Sequence, residues 1–405
     1  MSNLLSIGVH RRASAVPIPD LPLAIYVHIP FCVRKCYYCD FNSGPASEDI
    51  REQYVDALVE EIRRSPWRGQ PARTVFFGGG TPSELKTPQL RRITDALRES
   101  FSFESKPSTS LHPSVEWTIE CNPGTVTVES LREMREMGFN RISLGVQSFH
   151  DHHLKSIGRI HTAAQAREAV ASAREAGFER LNVDLIFCLP GQTFAEWKQD
   201  VESALALAPE HLSLYNLTIE ENTEFGRRHR AGLLSLPDED LSADMYEWTL
   251  DRMQDAGFVQ YEVSNFALPG EECRHNQVYW RQEPSLGFGP SAASYLGGVR
   301  WTNTGSMQRY LATAPSERGP ERGYEERLDP LTACGESIML ALRTYDGVDL
   351  PNVASRYGLD AEQAYGSIVR QLMADGLLEA SGVRHTLTRR GIMLANAVCA
   401  LFLPD

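Results

Sequence analysis

The chain has 405 residues, 42% hydrophobic and 23% charged, with a formal net charge of −13. Such a length asks for more than one small domain, and the acidic balance excludes a protein that grips nucleic acid through a general basic surface. No apolar run approaches the ~18 residues of a membrane span, so contact with lipid is limited to peripheral association.

Residues 1–20, MSNLLSIGVHRRASAVPIPD, form an N-terminal extension. It lacks a basic segment ahead of its short apolar stretch, so no secretory signal is expected; an organellar presequence is the weaker alternative to a cytoplasmic location. From residue 21 a short apolar run, a turn and a helical segment alternate. LAIYVHI (23–29), RTVFFGG (73–79), VEWTIECN (115–122), RISLGVQ (141–147), RLNVDLIF (180–187) and HLSLYNLT (211–218) read as buried strands, with helical spacing in segments such as REQYVDALVEEIRRS between them. Continuous apolar strands joined by helical crossovers mean a parallel sheet covered on both faces. The echo MREMGFNRISL, AREAGFERLNVDL, MQDAGFVQYEV ends a helix at Gly138, Gly177 and Gly257, spaced by one and by two repeats of about forty residues. The fold class is α/β: a partial (βα)6 TIM-like barrel over 21–304, with a doubly wound open sheet as its rival. FESKPSTSLHPS (103–114) reads as a surface insertion.

Strand runs are expected to stop near 305. In 305–405, VASRYGLDAEQAYGSIVRQLMADGLLEASGVRHTLT outlines two helices and a hairpin at Ser381-Gly382, a winged-helix-like domain. From 331 onward it carries six arginines against eight acidic residues, which suits packing and not DNA reading.

Of the eight cysteines, only Cys32, Cys36 and Cys39 cluster, in FCVRKCYYCDF just after the first strand. In a chain this long they point to metal or redox chemistry and not to a disulfide framework. A structural zinc needs a fourth ligand, for which His28 is near, but no second half-site is evident. A redox pair at Cys36 and Cys39 leaves Cys32 idle. An iron-sulfur cluster uses all three thiolates and leaves one iron open to a substrate or cofactor. Further on, GGGTP (78–82) ends the second strand, and polar residues sit at later strand ends: Glu120, Gln147 and Asp184, with Arg159 in GRIHT. Each alone reads equally well as a satisfied structural group. Together they form a ring suited to a bound nucleoside. Cys121 and Cys188 read as small buried side chains.

The cysteine spacing, with aromatic Tyr38 before the last thiol, resembles the signature of the radical S-adenosylmethionine (SAM) enzymes. The resemblance implies a 4Fe-4S cluster on Cys32, Cys36 and Cys39, SAM on the open iron, and SAM contacts from Tyr26, Tyr38, Gly79, Gly80, Thr81, Glu120, Gln147, Arg159 and Asp184. YVHIPFCVRKCYYCDFNS, FFGGGTPSEL, RISLGVQSF, NVDLIFCLPGQT and GVRHTLTRRG resemble, within that superfamily, the group of oxygen-independent coproporphyrinogen III dehydrogenases and heme chaperones. The dehydrogenase pattern adds a cysteine two residues after the third, where this chain has Phe41. His275-Asn276-x-x-Tyr279-Trp280 is similar to the motif of the chaperone branch, in which His275 would offer heme an axial nitrogen. What the resemblance implies is a chaperone that carries a SAM-ligated cluster, binds heme and passes it to an acceptor protein. A radical tetrapyrrole enzyme and a zinc-stabilised binding module are the alternatives.

Overall fold

Strand β1 (Leu23–Ile29) leads through the cysteine loop into helix α1 (Glu48–Arg63), whose first turn is capped by Ser47 and carries Glu48 and Asp49. The computed structural model describes residues 21–103 and 115–404, so the extension 1–20 and the expected insertion, apart from Phe103, lie outside the described residues. The alternation continues with β2 (Ala72–Gly79), α2 (Thr87–Ser100), β3 (Glu116–Cys121), α3 (Val128–Glu136), β4 (Arg141–Gln147), α4 (Asp151–Ser156), α5 (Ala163–Glu175), β5 (Arg180–Phe187), α6 (Phe194–Leu205) and β6 (His211–Asn216). These six strands are parallel neighbours in chain order. A doubly wound sheet requires the strand order to reverse at a switch point. None of the six reverses it, which decides for the partial barrel.

After α7 (Glu224–Arg230) and α8 (Glu239–Asp255), the hairpin β7 (Val259–Glu262) and β8 (Asn265–Ala267) extends the β6 edge antiparallel. Helix α9 (Arg274–Trp280) follows. Strand β9 (Ser285–Phe288) then pairs parallel with the free edge of β1, and β10 (Ala293–Leu296), β11 (Val299–Asn303) and, beyond α10 (Met307–Thr313), β12 (Arg322–Arg327) continue outward. The sheet stays open between β7 and β12.

Strand pairing therefore does not stop at residue 304. Strand β12 reads RGYEER and is mostly exposed, and a charged edge strand of this kind has no apolar alternation by which a sequence could reveal it. The second core starts later, with Cys334 and Ile338 on α11 (Pro330–Leu342), and gathers β13 (Val348–Asp349), α12 (Leu350–Arg356), α13 (Ala361–Ala374), β14 (Leu378–Ser381), β15 (Arg384–Leu387), α14 (Arg389–Met393) and α15 (Ala395–Ala400). Its sheet order is β13-β15-β14, helices followed by a wing. Among the described residues no helix is long and apolar enough to cross a membrane.

At the N-terminal end of the barrel, Glu116, Arg141 and Arg180 are the first residues of β3, β4 and β5, and all are buried. Arg180 donates to Glu116 at 2.9 Å, and α9 closes this end as the His275 amide donates to the same carboxylate at 3.0 Å. The opposite end, where the strands finish, is left open to the cysteine loop.

Candidate functional site

The cysteine loop is pinned at its base by backbone bonds: Gly44 N–H to Pro30 O at 3.0 Å and Cys32 N–H to Gly44 O at 3.0 Å. Lys35 ties its tip to the Phe41 carbonyl at 2.8 Å, and Tyr37 N–H reaches Ile157 O at 3.0 Å. Beneath it, the end of β2 docks edge-on. Gly80 N–H donates to Ile29 O at 2.8 Å and Thr81 N–H to Phe31 O at 2.7 Å. A Cβ on Gly80 would stand 2.7 Å from Phe31 O, so the bare backbone here serves approach to the cysteine loop itself.

Above the strand ends lies a cavity of about 390 Å³. It brings together Cys32, Cys36, Cys39, Tyr38, Gly79, Gly80, Thr81, Glu120, Gln147, Arg159 and Asp184, eleven of the thirteen expected site residues. The three thiols are unpaired by disulfides. Thr81 Oγ1 sits 3.5 Å from Cys32 Sγ, and an Arg159 guanidinium N–H points at Cys36 Sγ at 3.6 Å. Burial works against the charge of Arg159, but Tyr38 and the Cys36 and Cys32 thiols outweigh it and hold the guanidinium above its ordinary value. The guanidinium thus stays a cation beside the thiol ligand set. Burial, with the neighbouring thiols, pushes the Cys39 thiol up. Gln147 adopts a left-handed φ of 70° where the β4 register slips against β5, an arrangement a non-glycine residue tolerates only under constraint.

The floor of the cavity carries two carboxyls. Burial, reinforced by Asp184, raises Glu120 to about 8; Asp184 is raised by burial in spite of bonds from Ser213, Ser143 and Asn182. A folded pKa above the unfolded value means that the native state holds the extra proton, so stability falls as pH rises from about 4.5 toward 8. Glu120→Gln is expected to flatten this loss, stabilising the ligand-free chain at pH 8.5 by ~2 kcal/mol while changing little at pH 5, as thermal melts across that range would show.

Two expected residues lie elsewhere. Tyr26 stacks on Phe76 and its hydroxyl meets His28 Nδ1 at 3.1 Å, below the cavity. His275 lies deeper still, at the closed end beside Glu116. It is 1% exposed, with Nδ1 bonded to the Thr74 hydroxyl at 2.9 Å and Nε2 to the Tyr279 hydroxyl at 2.8 Å. Burial drives its pKa down to about 3. It has no free nitrogen to offer heme iron in this arrangement. His28 is equally engaged: Nε2 donates to the Asn42 carbonyl at 3.0 Å, which fixes the tautomer and leaves Nδ1 to accept from Tyr26. A zinc held by three cysteines and His28 therefore lacks its fourth ligand.

The sequence reading missed Asn122, which donates to Thr81 Oγ1 at 2.6 Å and accepts from Arg159, joining the glycine loop to the arginine. Its place directly after β3, at the same level as the other strand ends, was the available signal. Tyr215 and Asn216, at the end of β6, complete the wall.

Residues 26–204 match the Radical SAM superfamily and residues 328–394 the HemN C-terminal domain. Heme chaperone HemW of Lactococcus lactis is 40% identical over 95% of this chain and 98% of its own, and that of Bacillus subtilis is 37% identical over 94% and 99%. The chain belongs to the HemW family. HemW of Escherichia coli is 33% identical over 95% of this chain and 99% of its own. In three dimensions the chain is similar to the coproporphyrinogen III oxidase HemN of E. coli, a radical SAM enzyme, with a TM-score of 0.82 and 26% identity over 95% of this chain and 91% of that one. The α/β barrel and helical C-terminal domain are thus those of the HemN and radical SAM fold.

Proposed function

We propose that this chain is a heme chaperone: it binds heme, carries a 4Fe-4S cluster on Cys32, Cys36 and Cys39 with SAM at the open iron, and passes heme to an acceptor protein. Its likeness to HemW chaperones over nearly the whole of both chains carries this reading. Phe41 supports it, standing as an exposed apolar ring on the cavity rim where the dehydrogenase pattern has a further cysteine. The donor set fits the cluster, because three unpaired thiols line one cavity and the nearest imidazole, His28, is committed to other bonds. Tyr38, Gly79, Gly80, Thr81, Glu120, Gln147, Arg159 and Asp184 would surround SAM. When bound, the cluster supplies one-electron chemistry next to a sulfonium. This chain's own residues hold the charge balance: Arg159 faces the thiols, and Glu120 can release its proton to solvent and meet a cationic ligand as carboxylate. Eight unpaired thiols suit a reducing compartment, and the cytoplasm is the location we assign.

Anaerobic preparation with iron and sulfide analysis, followed by hemin titration and transfer to an apo-hemoprotein, tests the reading. The wild-type chain is expected to hold four irons and bind hemin, and Cys36→Ala to lose the cluster. Protein with a full cluster that neither binds hemin nor delivers it would sink the chaperone assignment. The likeness to coproporphyrinogen III oxidase favours a second reading, the oxidative decarboxylation of that substrate; formation of protoporphyrinogen on anaerobic turnover would establish it.

A further inference from the structure

Outside the cavity, the segment His150-Asp151-His152-His153 at the start of α4 faces the first turn of α6. His152 Nε2 stands 3.1 Å from Glu196 Oε1, and His150 Nε2 bonds the Glu196 backbone carbonyl at 3.2 Å. One donor atom from each of His150, His152 and Glu196 falls within 4.8 Å of the others. The second oxygen of Glu196 is anchored from behind, accepting from the Thr193 amide and hydroxyl, both at 2.8 Å, with His153 Nε2 at 3.4 Å. His153 is 2% exposed and neither of its ring nitrogens makes a hydrogen bond. Asp200, fully buried, places a further carboxylate oxygen 3.9 Å from His150 Nε2.

The three imidazole ring centres lie 4.0 to 5.8 Å apart, and an Nε2 from each of two of them gathers with a Glu196 oxygen in a space the size of one ion. Such a donor set suits a divalent cation. We propose that His150 Nε2, His152 Nε2 and Glu196 Oε1 form a site for one divalent transition-metal ion, zinc being the best suited, with an exchangeable fourth position facing solvent. Two imidazoles and a carboxylate match the ligand preference of zinc, and three protein ligands leave a tetrahedral site open. Thr193 acts as a positioning residue that orients the carboxylate from behind. For His150 Nε2 to take the metal, the proton that it now donates to the Glu196 carbonyl moves by way of solvent to Nδ1, with no change in the ring's charge. Since α4 stands between Gln147 and Arg159, an ion here would clip to α6 the segment that carries Arg159 into the cavity.

The test uses the untagged full-length chain with its cluster reconstituted, so that the thiols are already engaged. Zinc competition against a chromophoric chelator is expected to show one site per chain, and cobalt to give visible bands of nitrogen and oxygen ligation without thiolate charge transfer. His152→Ala changes a mostly exposed ring, and Glu196→Gln keeps an amide oxygen for the Thr193 cap; each is expected to weaken zinc by at least about tenfold. Unchanged affinity in either variant, or no zinc uptake by the wild-type chain, overturns the site. A His152→Ala chain that keeps zinc but loses hemin would reassign the cluster to tetrapyrrole iron and overturn it equally.

Discussion

Glu116→Ala is expected to destabilise the chain by ~3–5 kcal/mol in urea titration, the cost of breaking a buried ion cluster by removing one of its carboxylates. The carboxylate has no solvent exposure and accepts from Arg180 Nη1 at 2.9 Å and from the backbone amides of Arg274 at 3.2 Å and His275 at 3.0 Å. Removing it takes away one of the two carboxylates that hold the buried guanidinium of Arg180, Glu271 at 2.9 Å being the other, and unties α9 from the barrel. Burial alone would raise the pKa of Glu116, but Arg180, Arg141 and Arg274 outweigh that and hold it below the usual carboxylate value. Its contribution is therefore present above the unfolded pKa and lost as pH falls through the folded one, opposite in sign to that of Glu120. Glu116→Gln, which retains the acceptor but not the charge, should fall between wild type and alanine.

The second large effect is expected at Gly80. An alanine Cβ there would lie 2.7 Å from Phe31 O, 2.8 Å from Ile29 O and 2.9 Å from Phe31 N, all backbone atoms that cannot rotate away. The strain is ~1–3 kcal/mol, and its relief moves the base of the cysteine loop. Gly80→Ala should therefore lower the melting temperature and also leave the reconstituted protein short of iron. Gly177→Ala is the control: it has a left-handed φ of 88° but no atom within 4 Å of the added carbon. It should cost stability through its backbone conformation alone and keep full iron content. Equal iron in both variants would show that the glycine loop does not set the position of the thiols.

The barrel strands were legible because burial on both faces makes each a continuous apolar run; β1, β4 and β5 match their sequence reading to the residue. The helix ends at Gly138, Gly177 and Gly257 were legible too, each glycine taking the left-handed conformation that closes a helix. Edge strand β12 was not, since its partners lie on only one side and its residues face water.

What the sequence determined by itself was local: three thiols within eight residues, a glycine run at a strand end, and one polar residue at each of several strand ends. The fold then placed eleven of those residues around one cavity. Only the tertiary structure decided the partners of His275 and His28. An imidazole in a polar, aromatic stretch reads the same whether it faces a cavity or the interior, and what occupies His275 and His28 is hydrogen bonding to Thr74 and to the Asn42 carbonyl. Such commitments arise between chain positions that meet only on folding. Spacing along a chain carries the geometry of a loop, and it is silent about which of a side chain's bonds are already taken.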